Sequence, residues 1–202
     1  IPSSVPILCY LDNTCDTRVY FWVPMITVRR AIAADIAAIR FVQRETWLVT
    51  YPNRALGITR ADIAAQFAVD DNDTGQPGWL RERNKQFGDT QMMAWVAQQS
   101  GDIIGYATAQ KEGTQNRLNA LYVLPAYHRK GIGSQLFAAV LLWVGADKPL
   151  CVNVATYNQA AIDFYLARGC EKTGKSVTDE VAHLPTGKTI PEIEMVRIAT
   201  GS

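Results

Sequence analysis

The segment Leu118 to Leu136, LNALYVLPAYHRKGIGSQL, constrains this chain more than any other. It runs from an alternating apolar stretch through a proline into a basic, glycine-spaced loop, then directly into an amphipathic helix. A strand that delivers backbone amides and positive charge to a helix N-terminus is a device for holding phosphate oxygens. Gly131 and Gly133 let the backbone pass a ligand without Cβ interference. Arg129 and Lys130 add cations at the same point, and Ser134 supplies a hydroxyl and an amide in the first helical turn. Two nucleotide motifs are excluded. No G-x-x-x-x-G-K-S/T runs through the loop, and G-x-G-x-x-G would need glycine where Leu136 stands. Taken alone, the glycine spacing fits a turn that merely starts a helix equally well.

The downstream residues shift that balance. A helix from Ile132 to about Ala146 is followed by an apolar strand, Leu150 to Ala155, and then by NQAAIDFYLARGC, Asn158 to Cys170. Asn158, Ile162 and Tyr165 stand at i, i+4 and i+7 and share one helical face. Gly169 sits where a helix C-terminus favours glycine.

In order and separation, LYVLPAYHRKGIGSQL and N-x-x-A-I-x-F-Y-x-x-x-G resemble the GNAT superfamily of acetyl-CoA-dependent N-acetyltransferases. The first matches that family's strand, Q/R-x-x-G-x-G/A loop and helix; the second matches its later helix. The similarity covers residues from about Met25 to Ile198. It implies an α/β fold: a mixed, mostly antiparallel sheet flanked by helices, with a splayed parallel strand pair at the cofactor site. It also implies acetyl-CoA as cosubstrate, with no metal. His128, Arg129, Lys130, Gly131, Ile132, Gly133 and Ser134 would then hold the diphosphate. The backbone of Leu121 and Val123 would lie beside the acetyl group, with the Val123 amide as a one-donor oxyanion hole. Asn158 would cap its helix and reach the pantetheine arm.

The resemblance places Tyr165 near the cofactor sulfur, as the catalytic residue. A phenol with a pKa near 10 is protonated at pH 7 and can donate to a departing thiolate. Full transfer to a thiol of pKa about 8.5 would be uphill by roughly 2 kcal/mol, so a hydrogen bond or coupled transfer is the expectation. An alkylamine is neutral only about once in 2,500 molecules at pH 7, a cost of roughly 4.6 kcal/mol, so a base matters too.

Two departures from the family pattern stand out. His128 occupies the place of the usual Gln or Arg; a neutral imidazole would still donate one hydrogen bond, and cofactor binding would then become pH-dependent. Where many relatives carry a glutamate base, this chain has Arg117, Asn119 and Asn153. Asparagine can order a water. Glu45, Glu192, Glu194 and His183 are alternatives from elsewhere in the chain, and the base stays unassigned.

The 202 residues fit one domain, and a net charge of +1 implies no strong pull toward nucleic acid or anionic membrane. No apolar run approaches the roughly 20 residues of a membrane-spanning helix. Four cysteines lack metal-ligand spacing, and Cys151 and Cys170 fall at core or strand-edge positions, as in a reduced, cytoplasmic protein. Residues 1–24 read as an added or upstream-translated leader, and 25–202 as the acetyltransferase domain. A Cys9–Cys15 disulfide is the alternative for the leader.

Alternation predicts a strand at Ile26 to Arg30, and apolar periodicity predicts a helix from Ala34 to about Thr50. Thr59 can cap a second helix, ADIAAQFAV. Asp70 to Gly78 reads as a polar loop, followed by a helical stretch around Trp79 to Phe87. Met92 to Gln98 and Ile103 to Lys111 form a hairpin across Ser100-Gly101-Asp102. Strands follow at Arg117 to Leu124 and Pro191 to Ile198, an alternation that implies one mixed sheet in an α/β domain.

The acceptor is a primary amine, either a small molecule such as a polyamine or a polypeptide amino group. TWLVTYPNRALGIT and PTGKTIPEIEM resemble relatives of bacterial polyamine acetyltransferases. Asp70, Asp71 and Asp73 could attract a polycation, although a short acidic loop is more often solvated surface. The resemblance leaves room for a homodimer. From a different class, a catalytically idle acyl-CoA-binding regulatory module is the alternative; a nucleotide-binding regulatory domain fits the Gly131 spacing poorly.

Overall fold

The computed structural model describes residues 4–7, 21–71, 91–177 and 183–199. Cys9 and Cys15, Asp73 and the stretch from Trp79 to Phe87 lie outside the described residues. Strands β1 (Ser4–Ile7) and β2 (Phe21–Pro24) pair antiparallel as a two-stranded sheet of their own.

The main sheet begins with β3 (Ile26–Arg30), which leads into α1 (Ile36–Thr50). The link is braced electrostatically. Asp35 accepts the Ile32 amide at 2.9 Å and pairs with Arg29 at 2.7 Å, and the Arg29 hydrogen bond holds its carboxyl below the usual range. Thr59 opens α2 (Arg60–Asp71) with a reciprocal cap: the Asp62 amide donates to its hydroxyl at 3.2 Å, and the Thr59 amide donates to the Asp62 carboxylate at 2.8 Å.

β4 (Met92–Gln99) and β5 (Asp102–Lys111) form the expected hairpin. Ser100 and Gly101 both take positive φ, 52° and 97°, the mirror-image turn that matches strand twist. There follow β6 (Asn116–Val123), α3 (Ile132–Val144), β7 (Leu150–Ala155), α4 (Gln159–Leu166), β8 (Cys170–Val177) and β9 (Glu192–Arg197). Strand β8 was not among the sequence expectations. Its interior, EKTGKS, is polar because most of it is exposed, so it carries no buried alternation to read.

The seven strands lie in the order β3–β4–β5–β6–β7–β9–β8, antiparallel at every step except β6–β7. That parallel pair is short. It joins Asn116, Arg117 and Leu118 to Leu150, Cys151 and Val152, and ends there. The cause lies on the other edge of β6. Asn119 is an extra residue opposite β5, between the pairs Ala109–Leu118 and Thr108–Ala120. A bulge bends and twists its strand, so β6 swings away from β7 directly after Leu118. The expected splayed pair is present.

Side-chain alternation divides the sheet into two faces. On one, Leu118, Val123, Val152 and Val154 pack with Leu136, Phe137 and Val140 of α3 and with Ile162 and Tyr165 of α4. On the other, Tyr122 and Ala155 meet Trp47, Tyr51, Ile63 and Phe67 of the first two helices. Cys151 and Cys170 are buried free thiols. No helix among the described residues is long and apolar enough to cross a membrane.

Candidate active site in the splay between β6 and β7

A cavity of about 380 Å³ opens where β6 and β7 part. It runs from the N-terminus of α3, along both sides of the splay, to Thr46 and Thr50 of α1 and the adjoining Tyr51. Leu121, Val123, His128, Arg129, Gly131, Ile132, Gly133, Ser134, Asn158 and Tyr165 all line it. Lys130 is the one expected residue outside that lining; its Nζ lies 4.8 Å from the centre of the Tyr127 ring.

The loop end has the form that an anion requires. Arg129 and Gly131 take left-handed φ of 59° and 77°, and for a residue with a side chain that conformation costs about 1–2 kcal/mol. Gly131 begins α3 without any side-chain cap. The first-turn amides of Ile132, Gly133 and Ser134 have no intrahelical acceptor. Three N–H groups, the positive helix end and the Arg129 side chain thus converge on the cavity wall. The residues present fit a diphosphate.

The two glycines have different reasons to be there. A Cβ on Gly131 would meet nothing within 4 Å, so its left-handed φ is what favours glycine. A Cβ on Gly133 would come within 3.1 Å of the Phe164 ring. Gly133 therefore serves close packing of α4 on α3, not only ligand approach. Arg168 reinforces this junction: its guanidinium lies 3.5 Å from the centre of the Phe164 ring, donates to the Phe164 carbonyl at 2.6 Å, and donates to the Ser134 hydroxyl.

His128 Nε2 lies 2.8 Å from the carbonyl oxygen of Val123. A carbonyl only accepts, so Nε2 carries the proton. The imidazole thus ties the loop back to the end of β6. Asn158 caps α4, its Oδ1 accepting the Ala161 amide at 3.2 Å. Tyr165 is buried against Phe137 and Phe164, with ring centres 5.9 and 5.1 Å away, while still reaching the cavity. Burial above all, aided by the Tyr122 and Cys170 neighbours, holds its phenol well above the ordinary range. It is a hydrogen-bond donor at any physiological pH.

The far end of the cavity was largely illegible in the sequence. The Tyr51 and Tyr122 hydroxyls lie 2.9 Å apart, and the Tyr157 hydroxyl donates to the Tyr51 carbonyl at 2.8 Å. Tyr157 is thus half-buried and structural. Burial raises all three phenols, Tyr157 to about 12. Lys188, in the segment before β9, reaches Asp62 at 2.7 Å and the Gly57 carbonyl at 2.5 Å, pinning that segment to the connection between α1 and α2. That ion pair, with the Thr59 bonds behind it, holds the Asp62 carboxyl far below its usual range.

Of the alternative bases, Glu45 pairs with Arg44 at 2.7 Å and His183 with Thr189 at 3.0 Å, and neither lines the cavity. Glu194 is buried beside Asn153 and 3.3 Å from Lys175. Glu192 stands opposite Ala155, close enough for its charge to raise the Tyr51, Tyr122 and Tyr157 phenols further. Among the described residues no group of His, Cys, Asp and Glu could hold a metal ion.

Comparison with solved structures gives the same architecture. The paia N-acetyltransferase of Thermoplasma acidophilum, solved with coenzyme A, superposes with a TM-score of 0.68 at 18% identity, over 86% of this chain and 99% of that one. A GCN5-related N-acetyltransferase from Rhodopseudomonas palustris gives 0.63 at 18%, over 87% and 98%. The ribosomal-protein-S18-alanine N-acetyltransferase of Escherichia coli gives 0.60 at 16%, over 88% and 96%. Among curated proteins, none is significantly similar in sequence. The model of the acetyltransferase (GNAT) family matches residues 60–170, just over half of the chain. With that match and this sheet, the chain belongs to the GNAT family and is an acetyltransferase.

Proposed function

We propose that the protein transfers an acetyl group from acetyl-CoA to a primary amine, carried by a small molecule or a polypeptide. One observation carries this reading: a single cavity joins an anion-binding helix start on one face of the sheet to a tyrosine-lined end on the other, through the gap between β6 and β7. A phosphorylated donor and a separate acceptor can meet there from opposite sides.

The first-turn amides of α3 and Arg129 would hold the diphosphate, with His128 fixing the loop and Asn158 near the pantetheine arm. Acetyl-CoA supplies an activated thioester. Beside it, the Val123 amide is the donor for the carbonyl oxygen as negative charge develops. The neutral phenol of Tyr165 donates a hydrogen bond to the departing sulfur, which leaves as thiol once it gains the proton lost by the amine nitrogen. The buried free thiols Cys151 and Cys170 support a reducing, cytoplasmic setting.

The test is thiol release from acetyl-CoA by the purified chain across a panel of alkylamines, diamines and peptides with free N-termini. Amine-dependent release supports the reading. Tight acetyl-CoA binding with no release for any amine contradicts it and favours an idle acyl-CoA-binding module.

A further inference from the structure

Asn153 is the fourth residue of β7 (Leu150–Ala155), at the point where the sheet opens. The last β6–β7 pair is Leu118 with Val152, and Asn153 is the next residue of β7. Its neighbours Val152 and Val154 pack with α3 and α4, whereas Ala155 packs with Trp47 and Tyr51. Alternation therefore turns Asn153 to the face of α1, away from the anion-binding loop.

Its side chain lines the cavity, and its Oδ1 is buried without a hydrogen-bond partner. A buried polar atom left unpaired is costly, and of such side-chain atoms among the described residues this one alone belongs to a residue lining the cavity. Oδ1 can only accept, so what completes it must bring an N–H or O–H. Directly across the ladder stands buried Glu194, whose carboxylate is 3.3 Å from Lys175.

We propose that Asn153 is the acceptor-positioning residue: its Oδ1 takes an N–H of the incoming amine, which enters from the α1 face, and turns the nitrogen toward the thioester. This deepens the amine-acetylation reading and rests on it. The bond does not remove the proton. It fixes which N–H is held, leaving the nitrogen lone pair free once an ammonium has given its proton to water.

The test compares wild type with Asn153→Ala and Asn153→Val, using butylamine and an alanine-terminated hexapeptide as acceptors. The proposal predicts a KM for the acceptor raised about tenfold, or an equal loss in kcat over acceptor KM, the size expected for one lost hydrogen bond. The KM and Kd for acetyl-CoA stay within about twofold, since only the acceptor has lost a partner. Asn153→Val also raises Tm by a few degrees, because an unsatisfied atom leaves the core; a purely structural asparagine would give a fall. Weakened acetyl-CoA binding would reassign Oδ1 to the pantetheine arm and overturn the proposal, as would an unchanged kcat over acceptor KM or a lowered Tm. Failure of the wild type to release thiol with any amine sinks the underlying reading instead.

Discussion

The Nε2 atom of His128 stands 2.8 Å from the carbonyl oxygen of Val123, closing the phosphate-side loop onto the strand that feeds it. Besides lining the cavity, the imidazole thereby holds the loop's shape. His128→Ala is expected to weaken acetyl-CoA binding by roughly tenfold, the cost of about one net hydrogen bond. His128→Gln, which can still donate across that distance, should restore most of it. Equal losses in the two variants by calorimetry would contradict the bracing role.

The packing of Phe164 on Gly133 sets a second expectation. A Cβ at 133 would sit 3.1 Å from the ring, so Gly133→Ala should destabilise the fold by about 1–3 kcal/mol through overpacking. Adding Phe164→Leu relieves the clash and should recover part of that loss in denaturant titration. Gly131→Ala, strained by its φ of 77° with open space around it, should gain nothing from the same second substitution.

Tyr165→Phe keeps the ring that packs on Phe137 and Phe164 and removes only the hydroxyl. Turnover should fall by roughly a hundredfold, within the range for loss of a positioned proton donor. Affinity for acetyl-CoA should be nearly unchanged. Unaltered turnover in thiol release would remove Tyr165 from the chemistry.

The buried phenols predict alkaline instability. Tyr51, Tyr122 and Tyr165 all have folded pKa values above the unfolded value near 10, burial being the main cause. Their contribution is fully present below pH 10. As pH rises beyond it, the unfolded chain ionises and the folded one does not, so stability falls by up to about 1.4 kcal/mol per tyrosine per pH unit. Urea unfolding between pH 9 and 11.5 measures that slope, and Tyr51→Phe should shallow it. A flat profile would contradict the burial.

Local signals carried much of this into the sequence. The turn at Ser100-Gly101, the cap at Thr59 and the strand Leu150–Ala155 depend on neighbours in the chain, and each stands where its residues placed it. The extra residue Asn119 did not announce itself, because a bulge is defined by the strand opposite. Nor did the bond between the Tyr51 and Tyr122 hydroxyls, 71 residues apart. The reason for Gly133 was equally hidden, since it belongs to Phe164 on another helix. Sequence reading thus placed the loop end of the cavity, most of which comes from one continuous segment. It missed the far end, which α1, β6 and β7 assemble between them.

The most direct measurement is calorimetric titration of the full chain with acetyl-CoA, alongside the Arg129→Gln variant. The account predicts saturable one-site binding to the wild type, weaker in the variant and more weakly salt-dependent. No heat of association, or binding indifferent to Arg129 and to salt, would contradict a diphosphate held at the start of α3.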